Sequence, residues 1–347
     1  MKNPPLDERK AYILATVVYE YVASAEPVAS QTLTHKYHLG VSPATVRNEM
    51  AELEAGGYLV QPHTSAGRIP SDAGYRTFVD ELMHPEGLTA AERRQIRDEL
   101  RDARSELDDL IDQTTRLLGR LSNSLAFVTK PQAEMQVFKH IQLISIGPRT
   151  GVAIVVTSFG VSAQNLFELT SDVSAEDLTK LSSAMNQKFT GHMLSDVKES
   201  EIANLISELK LSEELRGAVT AAMQSARSSE APAIAAAGAQ NLLDQPEFRD
   251  ARKLRSILRI VEEQRTLYDI VADAMDNDVA SVKIGRELGS EELADLSVVT
   301  VPYRFGPRAI GMLSILGPRR MPYARLMALA AGTAKSLSQR IAEAEIK

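Results

Sequence analysis

VSPATVRNEMAELEAGGYLVQPHTSAGRIPSDAGYR, residues 41–76, changes character twice along its length. Ser42 suits a helix N-cap, and Pro43 stands at the first helical position, where a missing N–H costs least. Val46, Met50 and Leu53, at i, i+4 and i+7, form a stripe for burial, and Gly56 and Gly57 stop the helix. Tyr58-Leu59-Val60 reads as a short strand, Gln61 to Gly67 as a polar hairpin tip and Arg68-Ile69 as the return. Ser71 opens another helix, with Tyr75, Phe78 and Leu82 as its apolar face.

Upstream, Asp7 begins an amphipathic pattern in which Ile13, Val17 and Tyr21 recur at spacing four beside Leu14 and Val18. Pro27 marks its end. Ser30 caps a second short helix through Tyr37, and Gly40 breaks that helix. Three helices followed by a hairpin predict a winged helix-turn-helix over residues 1–85. Burying the 46/50/53 stripe leaves Ala44, Thr45, Arg47 and Asn48, just after Ser42, on the exposed first turns, where a recognition helix meets base edges. Arg suits the paired acceptors of guanine, Asn suits adenine, and Ala and the Thr methyl suit thymine. In the hairpin tip, His63, Thr64 and Ser65 offer donors for phosphate oxygens, Arg68 supplies a cation, and Gly67 offers a positive φ.

Bulk composition limits the alternatives. The chain has 347 residues and a net charge of −7 from 46 acidic and 39 basic side chains, so DNA contact must come from arrangement. It contains no cysteine, which excludes disulfides, thiolate metal sites and thiol nucleophiles. No apolar run is long enough for a membrane span and no secretory leader is visible, so a cytoplasmic protein is expected. There is no GxxxxGK[ST] loop, GxSxG elbow or HExxH motif, so neither catalytic residues nor an enzyme activity is expected. His35, His38 and His63 fit phosphate or solvent contacts better than a metal, and no cofactor is expected. The basic runs ARKLRS (251–256) and RRMPYARL (319–326) read as solvated helix faces.

Residues 89–124 read as one long helix with an apolar seam, a spacer or a pairing surface. Strands follow from Lys139 to Leu169, then a helix to Phe189, an Ala/Ser/Glu-rich helical region, a strong helix over 248–274, three more strands and a final helix. Strands, then helices, then strands predict an α+β domain interrupted by a mainly helical insertion. The expected divisions are 1–85 for the DNA-binding domain, 86–128 for a helical linker, 129–191 with 275–347 for the interrupted domain, and 192–274 for the insertion. Within the insertion, Leu254, Ile257, Leu258, Val261 and Tyr268 make the best candidate dimer seam.

The stretches PVASQTL (27–33), ATVRNEMAELE (44–54), HTSAGRIPSDAGYR (63–76), NLLDQPEF (241–248) and GMLSILGPRRMPY (311–323) together resemble the HrcA family of heat-inducible transcription repressors, in collinear order from about residue 7 to 344. The resemblance implies a winged helix, a GAF-like domain and a dimerising domain inserted into it. It also implies a homodimer that binds an inverted-repeat operator in double-stranded DNA, represses chaperone operons, is inactivated by heat and is supported by the GroE chaperonin. Two positions depart from the family's pattern: Leu288, where Asn is usual, and Pro322, where an acidic residue is common. Both fall in the GAF-like part, so a ligand role is not carried over from GAF relatives. The competing reading is a ligand-responsive regulator sensing a small molecule through that part.

Overall fold

The computed structural model describes residues 6–63, 66–101, 107–131, 136–158, 160–227, 234–248, 250, 259–260 and 263–345 of a mixed α and β chain. Asp7 accepts a hydrogen bond from the Lys10 amide at 2.8 Å and starts α1 (Glu8–Ser24), which buries Ile13, Leu14, Val17 and Val18. In α2 (Ser30–Lys36), Ser30 is the first helical residue and is buried, and no side chain caps that helix. The α3 helix (Pro43–Ala55) is capped as its sequence dictates: Ser42 Oγ accepts from the Thr45 amide at 3.2 Å, Val46, Met50 and Leu53 are buried, and Gly57 turns away at φ +80°. Strands β1 (Leu59–Val60) and β2 (Ile69–Pro70) pair antiparallel. Ser71 then caps α4 (Asp72–Thr77) by accepting from the Gly74 amide at 3.0 Å, and the chain runs on through a wider π turn over 78–82.

The stretch expected as one long helix contains α5 (Ala90–Arg101) and α6 (Leu107–Ser122). Its seam is consumed within the chain. Ile96, Leu100, Leu110, Ile111, Leu117 and Leu118 share one core with residues of the C-terminal helix and the N-terminal unit.

After β3 (Leu125–Thr129) the chain leaves to build a separate unit. Strands β4 (Phe138–Ser145), β5 (Thr150–Thr157) and β6 (Gly160–Glu168) form a three-stranded antiparallel sheet in that order. Helices α7 (Ala175–Phe189), α8 (Glu199–Glu208) and α9 (Glu214–Arg227) close over one face of it. Phe138, Ile141, Val155, Leu181, Ile206 and Met223 meet in a core of their own. The chain returns through β7 (Ile234–Ala237), α10 (Ala239–Leu243), α11 (Gln264–Asp276), β8 (Ser281–Ile284), β9 (Leu296–Phe305), β10 (Arg308–Pro318) and α12 (Tyr323–Glu345). These strands take up β3 in a five-stranded antiparallel sheet of order β7-β3-β10-β9-β8. Successive β3 residues face opposite ways. Ala126 and Val128 join the core with α6 and α12, while Leu125 and Phe127 join Leu267, Ile270 and Val271 of α11.

This grouping differs from the expected divisions. A boundary at 191/192 would cut through a single core, because α8 and α9 pack with β4–β6 and α7. Among the described residues, β4–β6 therefore form a sheet separate from the strands of 275–347, only Thr129 at the end of β3 joining the latter, and β7 and α11 belong with the five-stranded sheet. Alternation along a strand fixes which side is buried but not which sheet edge it joins.

A polar seam fixes the N-terminal unit to the body. Arg319 donates to Asp72 at 2.7 Å, and Arg76 donates to Glu287 at 2.9 Å and to the Val282 carbonyl at 2.6 Å. Arg320 pairs with Glu247 and donates to Gln245 at 2.8 Å, and Arg325 pairs with Glu92. The run RRMPYARL is thus engaged with partners instead of facing solvent, while ARKLRS lies outside the described residues. Gly285, at φ +55°, lies so close to Asp72 that a Cβ would come within 2.6 Å of its carboxylate.

Candidate nucleic-acid interface

The first turns of α3 gather most of the residues expected to read DNA. Ser42, Ala44, Arg47 and Asn48 are exposed and Thr45 is half-buried. Ser42 and Thr45 hydroxyls lie 3.0 Å apart, so the cap holds the Thr45 side chain as well as its amide. Arg47 makes no ion pair among the described residues.

The acidic residues of the same helix are occupied elsewhere. Lys10 on α1 lies 3.2 Å from Glu49 and 3.1 Å from Glu52, and Arg9 lies 3.6 Å from Glu49. Glu54 accepts from Arg68 Nε at 2.8 Å. With each α3 carboxylate paired, Arg47 and the positive end of the helix dipole lie together at the first turns of α3. This explains how a segment without a basic excess can present a basic surface.

The hairpin stands beside that face. A cleft of about 380 Å³ runs between α2, α3 and the hairpin, with Ser30, Gln31, Arg47, Gln61, Ala66 and Arg68 among its lining residues. Gln61 belongs to the expected hairpin tip, whereas Ser30 and Gln31 carry no contact signal in the sequence, although they stand at the start of a short helix whose Leu33 points inward. His63 is exposed, and its carbonyl accepts from the Ala66 amide at 2.8 Å. Thr64 and Ser65 lie outside the described residues. Arg68 turns inward: its side chain is only 15% exposed. Gly67 does not use a positive φ. It is required by contact, since a Cβ there would fall 2.4 Å from the Val28 carbonyl.

Most of the expected dimer seam, Leu254, Ile257, Leu258 and Val261, falls outside the described residues. Tyr268 is half-buried against the core beneath α11, and its hydroxyl lies 3.8 Å from Met275 Sδ. Among the described residues no His/Asp/Glu group could hold a metal ion, and no helix is long and apolar enough to cross a membrane.

The family profile for the HrcA protein C-terminal domain matches residues 108–327. The heat-inducible transcription repressor HrcA of Pelotomaculum thermopropionicum is 38% identical over 335 residues, covering 96% of each chain. That of Symbiobacterium thermophilum is 37% identical, covering 96% of this chain and 98% of its own. A crystal structure described as a hypothetical protein at 2.2 Å shares the fold, with a TM-score of 0.61 and 23% identity over 98% of this chain and 100% of that one. The chain is therefore a transcription repressor built on a mixed α and β scaffold. More narrowly, it belongs to the HrcA family, whose named members are heat-inducible.

Proposed function

We propose that residues 6–85 form a winged helix-turn-helix that reads an inverted-repeat operator in duplex DNA, with α3 in the major groove and the 61–69 hairpin as the wing. The observation that carries this reading is the exposed, unpaired Arg47 beside Asn48 and Ala44 on a capped helix whose carboxylates are all paired. Arg47 and Asn48 contact base edges, Ala44 and Thr45 contact thymine methyls, and Ser42 holds the helix end against a phosphate. His63, Thr64 and Ser65 extend the wing toward the backbone.

An inverted repeat calls for a two-fold protein. The outer face of the β4–β6 sheet supplies a surface of suitable chemistry for a second copy of this chain. Ile144, Val152 and Leu166 stand in cross-strand register, and Ile144, Ile146 and Leu166 are 41%, 60% and 64% exposed. Residues 138–227 thus serve as the inserted dimerising domain, and β3 with residues 234–345 as the GAF-like one. The operator controls chaperone genes, heat empties the folded active state, and the GroE chaperonin restores it.

Footprinting the purified repressor on a chaperonin promoter tests the whole reading. Protection of two symmetric half-sites is expected. Uniform protection of any duplex at the same concentration would refute it. For the chaperonin step, heat-inactivated protein incubated with GroE and ATP should regain operator binding.

A further inference from the structure

We propose that Arg68 is a positioning residue that locks the wing to the recognition helix through Glu54, and that it does not contact DNA phosphate. The inference rests on the winged-helix reading above and assigns a role within that site.

Three observations converge on this residue. The Arg68 guanidinium donates through Nε to Glu54 Oε2 at 2.8 Å, and the two side chains are 15% and 34% exposed. A planar guanidinium held through Nε has its orientation fixed by that bond, and little of its surface remains for another anion. The Arg68 backbone is fixed as well. Its amide donates to the Val28 carbonyl at 2.9 Å, and the Val28 amide donates to the Arg68 carbonyl at 2.9 Å. Gly67 then permits a backbone approach that a Cβ would block, at 2.4 Å from Val28 and 2.7 Å from the Pro27 carbonyl.

The geometry ties three parts of the reading head at one point. Val28 lies in the chain between α1 and α2, Glu54 lies in the last turn of α3, and Arg68 immediately precedes the hairpin's return strand, bridged to Val28. The pair therefore sets the distance between the helix in one groove and the wing on the neighbouring backbone. It also removes a hazard. Glu54 stands on the same helix as Arg47, and if unpaired its carboxylate would face the phosphate backbone and repel it. Because the pair is neutral, it releases no counterion on binding and makes no contribution to the salt dependence of affinity.

The test uses the full-length repressor and an operator duplex. Arg68→Lys keeps the charge and loses the fork; Glu54→Gln removes the partner charge; Arg68→Ala with Glu54→Gln removes both and keeps local neutrality. Operator affinity is measured across salt concentrations, with hydroxyl-radical protection of the sugars and methylation protection of guanine. The expected result is a loss of about tenfold in Arg68→Lys and in Glu54→Gln, consistent with one charge-assisted bond. The salt slope should stay unchanged in the double variant, wing-side sugar protection should be lost, and guanine protection by α3 should be kept. A slope lower by about 0.9 per DNA-binding unit in the double variant would assign Arg68 to a phosphate and overturn the proposal. So would wild-type or tighter binding by Glu54→Gln or by Arg68→Lys. Circular dichroism melts identify any variant that fails to fold, and the Lys variant, the mildest of the set, then decides. If the wild-type protein protects no operator at all, it is the winged-helix reading that fails, independently of Arg68.

Discussion

At the scale of single residues, Arg47 provides the sharpest test of base readout. Arg47→Ala should cost about 1–3 kcal/mol at the operator and less on random duplex. Equal losses in parallel titrations would make it a phosphate contact only. The buried tyrosines give a second prediction. Burial raises the phenols of Tyr75, Tyr303 and Tyr323 above their ordinary value of about 10. The unfolded chain ionises first, so the stability linked to these groups is complete below about pH 10 and is lost as pH rises beyond it. Tyrosinate absorbance from these three buried phenols should appear together with unfolding. Full titration before any loss of far-UV dichroism would contradict this. The exposed set on α3 was legible because a 3.6-residue period and a Ser-Pro cap decide which side of a helix is buried. The inward turn of Arg68 was not, because its partner Glu54 is 14 residues away and only the hairpin brings them together.

At the scale of elements, Gly67 links the hairpin to the turn before α2. Gly67→Ala forces a methyl into the Val28 carbonyl and should destabilise the N-terminal unit by about 1–3 kcal/mol. Chemical denaturation measures the cost; an unchanged midpoint would mean that the bridge yields freely. On the inserted unit, Leu166→Lys should leave that unit folded, since the residue is 64% exposed, and should yield monomers in sedimentation. An intact dimer would move the interface elsewhere. Most elements were readable from caps, glycines and period. Their partners were not. The seam on α5 and α6 had the pattern of a pairing surface, and α12 from the far end of the chain covers it.

At the scale of the whole molecule, one hydrophobic core joins the N-terminal unit to α5, α6, α12 and the five-stranded sheet, whereas β4–β6 with α7–α9 have a core to themselves. Calorimetry should therefore show the DNA-reading unit unfolding with the body, and residues 138–227 as a separable transition. A DNA-binding unit that melts alone well below the body would contradict that coupling. The Arg319–Asp72 and Arg76–Glu287 pairs add to it modestly, since their side chains are about one-third exposed and screened. Sequence spacing showed that an insertion interrupts the body. It did not show where, because residues 125–128 fall in the expected helical linker, and only the pairing of β3 with β10 assigns them to the body.

The places where that insertion begins and ends have a practical meaning. Thr129 lies opposite Ile234 in the β3–β7 ladder, so more than a hundred residues depart and return across one pair of neighbouring strands. The excursion is a cassette held by its two adjacent ends. A short reverse turn from Lys130 back to residue 233 would seal the gap with little loss of closure entropy, and the remaining chain keeps every strand of the larger sheet. On the dimerisation proposed above, excising the cassette, or grafting a self-associating domain at the same doorway, removes or replaces pairing of the repressor while leaving α3 and the hairpin untouched.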